Sequence, residues 1–77
     1  MKKNLRSARH RALIATIVQA RKKAGLTQRK LAMRLRRSDS FVWKIEAGER
    51  RIDILEFIEI ARCLKVDPVD LFKKVVL

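Results

Sequence analysis

Four side chains between residues 39 and 44 are of types that form specific contacts with the edges of nucleic-acid bases. Lys44 can donate hydrogen bonds to guanine O6 or N7, Ser40 suits several base edges, and Asp39 can accept from cytosine N4. Trp43 can contact a thymine methyl group or a sugar, although an aromatic side chain at this place also suits local packing or a protein interface. Their three- and four-residue spacing gives them a common helix face, which favours recognition of base pairs in a groove of DNA.

The helix that would present these side chains is predicted over residues 38–47. Ser38 is the expected N-cap, Val42 and Ile45 form the inner face, and Gly48 ends the helix with room for a left-handed backbone. Because the inner pair faces the core, the four polar and aromatic side chains are expected to face outward.

A second short helix is predicted immediately before this one. Thr27 is its expected N-cap, and Leu31 and Ala32 belong to its inner face. Two short helices joined by a tight basic turn allow one helix to enter the major groove while the other is braced against the backbone. Thr27, Gln28 and Ser38 lie at predicted helix starts, where free amide groups favour phosphate oxygens. The basic side chains expected near the phosphates are Arg29, Lys30, Arg34, Arg36, Arg37, Arg50 and Arg51.

The rest of the chain predicts three further helices and no strand, which gives an all-α, compact five-helix domain over residues 8–77. The first helix is expected from Ala8 to Ala24. A fourth helix should open with a capping pair of Asp53 and Glu56, and a fifth should begin at Asp67-Pro68. The inner faces of these last two helices are expected to be Ile54, Phe57, Ile58, Ala61, Leu64 and Leu71. Residues 1–7 are expected to form a flexible basic arm, which could either enter the minor groove or remain a solvated tail.

The charge of the chain is concentrated in its first two thirds. The formal net charge is +12 over 77 residues. Residues 1–51 contain sixteen Lys or Arg and three acidic residues, whereas residues 52–77 contain four basic and five acidic ones. A polyanion is the natural partner of the first part, because neutralising phosphates releases condensed counterions. We therefore expect double-stranded DNA to be the partner.

The composition argues against catalysis, a cofactor and a metal site. His10 is the single histidine, and Cys63 is the single cysteine, which we expect to be a small buried apolar side chain. The acidic residues lie mainly at predicted helix caps or on exposed faces, with no pairing of a nucleophile with a base and no phosphate-cradling glycine loop. The apolar run at residues 12–18 is too short to span a membrane. Thr16 also interrupts the apolar core that a secretion signal would need. We therefore expect a cytoplasmic protein.

Residues 14–71 resemble the Cro/repressor-type (Xre-type) helix-turn-helix family of bacterial and phage transcription regulators. The matching segments are A-R-K-K-A-G-L-T-Q-R-K-L-A at 20–32, S-D-S-F-V at 38–42, I-E-A-G-E-R at 45–50 and I-A-R-C-L-K-V-D-P at 60–68. The resemblance implies a five-helix fold that usually binds palindromic operators as a dimer. It also implies a structural ion pair between Arg21 and Glu46.

The resemblance further implies roles for individual residues at the DNA. Gln28 would touch a phosphate and steady Asp39, while Ser38, Arg50 and Arg51 would hold the backbone. The chain departs from the family where glycine is usual, at Arg36 in the turn and at Lys65 before Val66-Asp67-Pro68. We expect left-handed backbone at both positions, at about 1 kcal/mol each.

A group of apolar residues exceeds what one small core requires. We expect them to form a homodimer contact through the fourth and fifth helices; they are Leu55, Phe72, Val75, Val76 and Leu77. The leading prediction is a sequence-specific transcription regulator, either a repressor or an autoregulator. Two alternatives stay open: a DNA-binding antitoxin whose apolar tail binds a toxin, and a protein that coats nucleic acid without regard to sequence.

Overall fold

The computed structural model describes residues 7–77, and within them every regular element is an α-helix, as the sequence predicts. The helices are α1 (Ala8–Lys23), α2 (Gln28–Arg34), α3 (Ser40–Glu46), α4 (Ile54–Cys63) and α5 (Pro68–Val76). None of these helices is both long enough and apolar enough to cross a bilayer.

Side-chain caps fix where most of the helices begin. Thr27 accepts a hydrogen bond from the amide of Lys30, and Asp53 and Glu56 form a reciprocal capping box. Asp67 accepts from the amide of Val69, with Pro68 in the first turn of α5. These three predicted caps are present. Most of the predicted basic arm lies outside the described residues, but Ser7 at its end is the N-cap of α1.

Two helices end in left-handed residues that are not glycine. Arg36 has a φ of 59° after α2, and Lys65 has a φ of 60° after α4. At the first of these turns the amide of Arg37 donates to the carbonyl of Ala32 at 3.0 Å, and at the second the amide of Val66 donates to Ala61 at the same distance. These backbone hydrogen bonds, each between residues five apart in the chain, satisfy carbonyls at the helix ends. The left-handed backbone predicted at Arg36 and Lys65 is therefore confirmed.

The core lies where the first four helices meet. Its most completely buried large side chains come from α1 to α4 in turn and are Ile17, Leu31, Val42 and Ile60. The fifth helix packs mainly on α1 and α4. Its buried Leu71 joins Phe57 and Ala61 in a second, smaller cluster.

The predicted inner face of α4 is partly wrong. Phe57 and Leu64 are buried as expected, but Ile54 is 63% exposed and Ile60, which was not among the expected residues, is 1% exposed. Ile58, also expected inside, is only partly buried. Ile54 is the first residue of α4, whereas Ile60 faces the main core cluster of α1, α2 and α3. Cys63 is partly buried against the core, and desolvation raises the pKa of its thiol.

Candidate nucleic-acid interface

The third helix has one face in the core and the other in solvent. Phe41, Val42 and Ile45 are 7%, 1% and 3% exposed. The solvent face of the helix and its first turn consists of Asp39, Ser40, Trp43 and Lys44. Trp43 is 48% exposed, so its ring is accessible rather than packed in the domain. The face predicted from sequence is therefore free to meet a partner.

The start of α3 differs from the prediction that the Ser38 side chain caps it. The hydroxyl of Ser38 lies 3.4 Å from the hydroxyl of Ser40, and the backbone carbonyl of Ser38 accepts from the amide of Phe41. Asp39 already has helical φ and ψ of −56° and −32° and makes no side-chain cap. The predicted side-chain cap is wrong, because a tight turn through the Ser38 carbonyl initiates the helix instead.

The side chain at the first expected recognition position is paired with an arginine. The Nε of Arg29 on α2 lies 3.6 Å from a carboxylate oxygen of Asp39, with the two side chains 76% and 70% exposed. An ion pair this exposed contributes little stability. It does bring a positive charge beside Asp39, which reduces the repulsion that the carboxylate would meet from phosphates.

Gln28 has a different partner from the one that the family resemblance implied. Its amide nitrogen donates to Oε1 of Glu46 at 2.7 Å, rather than steadying Asp39. The same carboxylate receives two bonds from Arg21, from Nε at 2.7 Å and from Nη2 at 3.0 Å, and Arg21 also donates to the carbonyl of Leu26 at 2.8 Å. The side chains of Arg21 and Glu46 are 10% and 7% exposed. The predicted ion pair is thus present and joins α1 to α3, while the Gln28 bond ties α2 to the same carboxylate.

A second buried carboxylate lies at the start of α4, where sequence reasoning assigned Glu56 only a capping role. Arg50 donates to both Glu56 oxygens, at 2.9 and 3.0 Å, and Arg37 donates at 3.2 Å. The amide of Asp53 adds a fourth bond at 3.1 Å. These bonds, chiefly those from Arg50, lower the pKa of Glu56 to about 2 although burial opposes the shift.

Both arginines also stack on an aromatic ring of the third helix. The guanidinium carbon of Arg37 lies 4.4 Å from the centre of the Phe41 ring, and that of Arg50 lies 4.8 Å from it. Arg50 donates in addition to the backbone carbonyl of Arg51. We call Arg37, Phe41, Arg50 and Glu56 the arginine cluster. The sequence offered no local sign of it, because α3 and a loop separate Arg37 from Glu56, and Arg50 lies in that loop, six residues before Glu56.

The remaining predicted DNA contacts are at the surface. Thr27 and Arg51 are exposed, and Gln28 is partly buried. Arg37 and Arg50, predicted only as phosphate contacts, are engaged with Glu56 but keep 38% and 37% of their side-chain surface exposed.

The fourth and fifth helices carry exposed apolar side chains. Leu55, Phe72 and Leu77 are 68%, 47% and 98% exposed, and Val76 is 40% exposed. Val75 is partly buried. A shallow apolar groove beside Phe72 is lined by Ile54, Phe57, Ile58, Pro68, Val69 and Phe72. The apolar residues expected at a dimer contact are therefore largely accessible.

Within residues 7–77, no three His, Cys, Asp or Glu side chains are grouped in a way that could hold a metal ion.

A helix-turn-helix family model matches residues 17–71 of the chain. A search of curated proteins gives no match. Among solved structures, an XRE-family like protein from Pseudomonas syringae pv. tomato is 43% identical, with a TM-score of 0.86 over 96% of this chain and 90% of that one.

Two other solved structures resemble the chain. A mutant of the restriction-modification controller protein C.Esp1396I is 26% identical, with a TM-score of 0.82 over 91% of this chain and 89% of that one. The clp gene regulator ClgR from C. glutamicum is 21% identical, with a TM-score of 0.80 over 91% and 90%, which is a likeness of fold alone. With the family model matching most of its length, the chain belongs to the XRE-type helix-turn-helix family of DNA-binding transcription regulators.

Proposed function

We propose that the chain binds a palindromic DNA operator as a homodimer and represses or autoregulates transcription from it. The observation that supports this most strongly is the exposed face of α3, where Ser40, Trp43 and Lys44 are accessible while Val42 and Ile45 hold the opposite side in the core. A helix anchored in this way can enter the major groove without unfolding the domain. Such a regulator acts where the chromosome is, so we propose the cytoplasm as its location.

The proposed contacts of each residue with the DNA follow from side-chain chemistry. Lys44 and Ser40 contact base edges, Asp39 accepts from cytosine N4 beside Arg29, and Trp43 contacts a thymine methyl group or a sugar. Thr27, Gln28, Ser38 and Arg51 then contact the phosphate backbone, which positions the helix without specifying sequence.

The exposed apolar surface of α4 and α5 supports the homodimer. Large apolar side chains left in water are unfavourable, and a two-fold contact would bury the same residues of both copies. Such a dimer would place two copies of α3 one helical turn apart on DNA, about 34 Å. We propose Leu55, Phe72, Val75, Val76 and Leu77 as the contact.

The same surface keeps a second candidate function open, that of a DNA-binding antitoxin whose α4–α5 surface binds a toxin. A small protein that co-purifies with the chain at fixed stoichiometry would favour this candidate. A pure homodimer that binds DNA by itself would favour the regulator.

Selection of bound duplexes from a random library at near-physiological salt tests the proposed function. We expect an inverted repeat with half-sites about one turn apart, bound at least ~10³-fold more tightly than random DNA. Sedimentation of the selected complex should show two copies of the chain per duplex. Equal affinity for all sequences would instead identify a protein that coats nucleic acid generally.

A further inference from the structure

The arginine cluster combines a buried carboxylate with two arginines that remain accessible. Glu56 is 8% exposed, whereas more than a third of the side-chain surface of Arg37 and of Arg50 faces solvent. The carboxylate neutralises only one of the two guanidinium charges. A net positive charge therefore remains at the surface of the cluster.

The donors of the two arginines are only partly used. A guanidinium has five N–H groups. Among residues 7–77, Arg50 makes three hydrogen bonds, two to Glu56 and one to the Arg51 carbonyl, which leaves two N–H groups. Within the same part of the chain Arg37 makes one hydrogen bond, to Glu56, which leaves four N–H groups. Each arginine can therefore bind a phosphate oxygen without leaving the carboxylate.

The cluster lies beside the proposed recognition helix. Arg37 is three residues before the first residue of α3 and Arg50 is four residues after its last. Both stack on Phe41, the neighbour of Ser40. The two guanidiniums are thus held by one ring and one carboxylate next to the helix that would enter the groove. Long side chains that are ordered before binding lose less entropy when they meet a ligand.

We propose that Glu56 is a positioning residue for DNA binding: it holds Arg37 and Arg50 against Phe41 so that their remaining donors meet phosphate oxygens beside α3. This inference rests on the proposed function. The change in DNA affinity that it predicts is opposite to the change expected from net charge alone. Removing an acidic residue from a DNA-binding surface ordinarily strengthens binding, whereas removing Glu56 should weaken it.

The test compares Glu56→Gln with Glu59→Gln, which removes the same charge from an exposed position of α4. Dissociation constants are measured for the selected operator at fixed salt, with the active fraction of each protein determined by titration. We expect Glu56→Gln to weaken binding about tenfold, because both guanidiniums lose their anchor. Glu59→Gln should leave binding unchanged or slightly stronger.

A thermodynamic cycle separates positioning from loss of folding. If Glu56 acts through the two arginines, Glu56→Gln should cause no further loss of affinity in an Arg37→Ala/Arg50→Ala background. A structural effect on the domain would persist in that background. Arg50→Lys provides a second readout in which Glu56 stays paired: it keeps the charge but loses the fork that spans both carboxylate oxygens, so it should also weaken binding.

The inference would be overturned if Glu56→Gln bound the operator as tightly as the wild type or more tightly. It would also be overturned if the loss of affinity caused by Glu56→Gln persisted in the Arg37→Ala/Arg50→Ala background. A third contrary result would be an Arg50→Lys variant with wild-type affinity. In each case a wild-type protein that still prefers its operator leaves the proposed function intact. A wild-type protein that does not distinguish operator from random DNA would overturn the proposed function and, with it, this inference.

Discussion

The two buried carboxylates of the domain have similar burial but different partners. The side chain of Glu46 is 7% exposed and its arginine, Arg21, is 10% exposed. The side chain of Glu56 is 10% exposed, but its partners Arg37 and Arg50 are 38% and 37% exposed. The first carboxylate is thus enclosed together with its arginine, whereas the second is covered by arginines that still face solvent.

This difference indicates what each cluster can do. An arginine enclosed with its carboxylate can only join elements of the fold, and the Arg21–Glu46 pair does so between α1 and α3. An arginine with unused donors in solvent can also bind a ligand. The same ion-pair chemistry therefore supports folding alone in one place and allows DNA contact in the other.

The largest expected effect is on stability at the enclosed pair. Glu46→Ala should lower the free energy of unfolding by about 3–5 kcal/mol, because it leaves Arg21 buried without its carboxylate. Chemical denaturation measures this loss, with Glu49→Ala as a control at an exposed position. A double-mutant cycle with Arg21→Ala that showed negligible coupling would contradict the role assigned to the pair.

An intermediate effect is expected in the pH dependence of stability at Glu56. The pKa of Glu56 falls from 4.5 to about 2 in the folded protein, so its contribution is complete above pH 4.5 and is lost as the pH falls toward 2. Between pH 6 and pH 3 the wild type should lose about 2 kcal/mol that Glu56→Gln does not lose. Urea unfolding at the two pH values measures the difference. Equal losses in both proteins would show that the pairing of Glu56 in solution is weak.

The smallest expected effect is on stability at the two residues with left-handed backbone, Arg36 and Lys65, one near the proposed DNA contact and one after α4. Arg36→Gly and Lys65→Gly should each raise the free energy of unfolding by up to about 1 kcal/mol, because glycine adopts a positive φ without strain. Only Arg36→Gly should weaken DNA binding, since Arg36 lies in the turn between α2 and α3 and Lys65 follows α4. Thermal unfolding and operator binding measured on both variants test this. Equal operator affinities of the two variants would show that Arg36 does not contact the DNA.

Features with a local pattern could be predicted from the sequence. The capping box at Asp53 and Glu56 lies within one helical turn, and the buried side of α3 follows from Val42 and Ile45. The Arg21–Glu46 pair spans 25 residues and was reached through the family resemblance, not through spacing.

Features that depend on how elements meet were missed. Glu56 carries a local signature that already explains it as a cap, and nothing in the spacing of Arg37 and Arg50 indicates that both converge on it. Ile54 fits the helical stripe of α4, but its burial depends on where the core ends. The side-chain cap expected of Ser38 failed for a similar reason, since the backbone of Asp39 is already helical.

The central claim is that the outward face of α3 reads base pairs, and selection of DNA by matched variants tests it most directly. Random-library selection would be run in parallel on the wild type, Ser40→Ala, Lys44→Ala and a control, Lys74→Ala, whose lysine is exposed on α5. We expect Ser40→Ala and Lys44→Ala each to relax the preference at its own position in both half-sites, by about 1–3 kcal/mol, and the control to select the wild-type motif. Identical motifs from all four proteins, or a uniform loss of affinity with no change in preference, would contradict the claim.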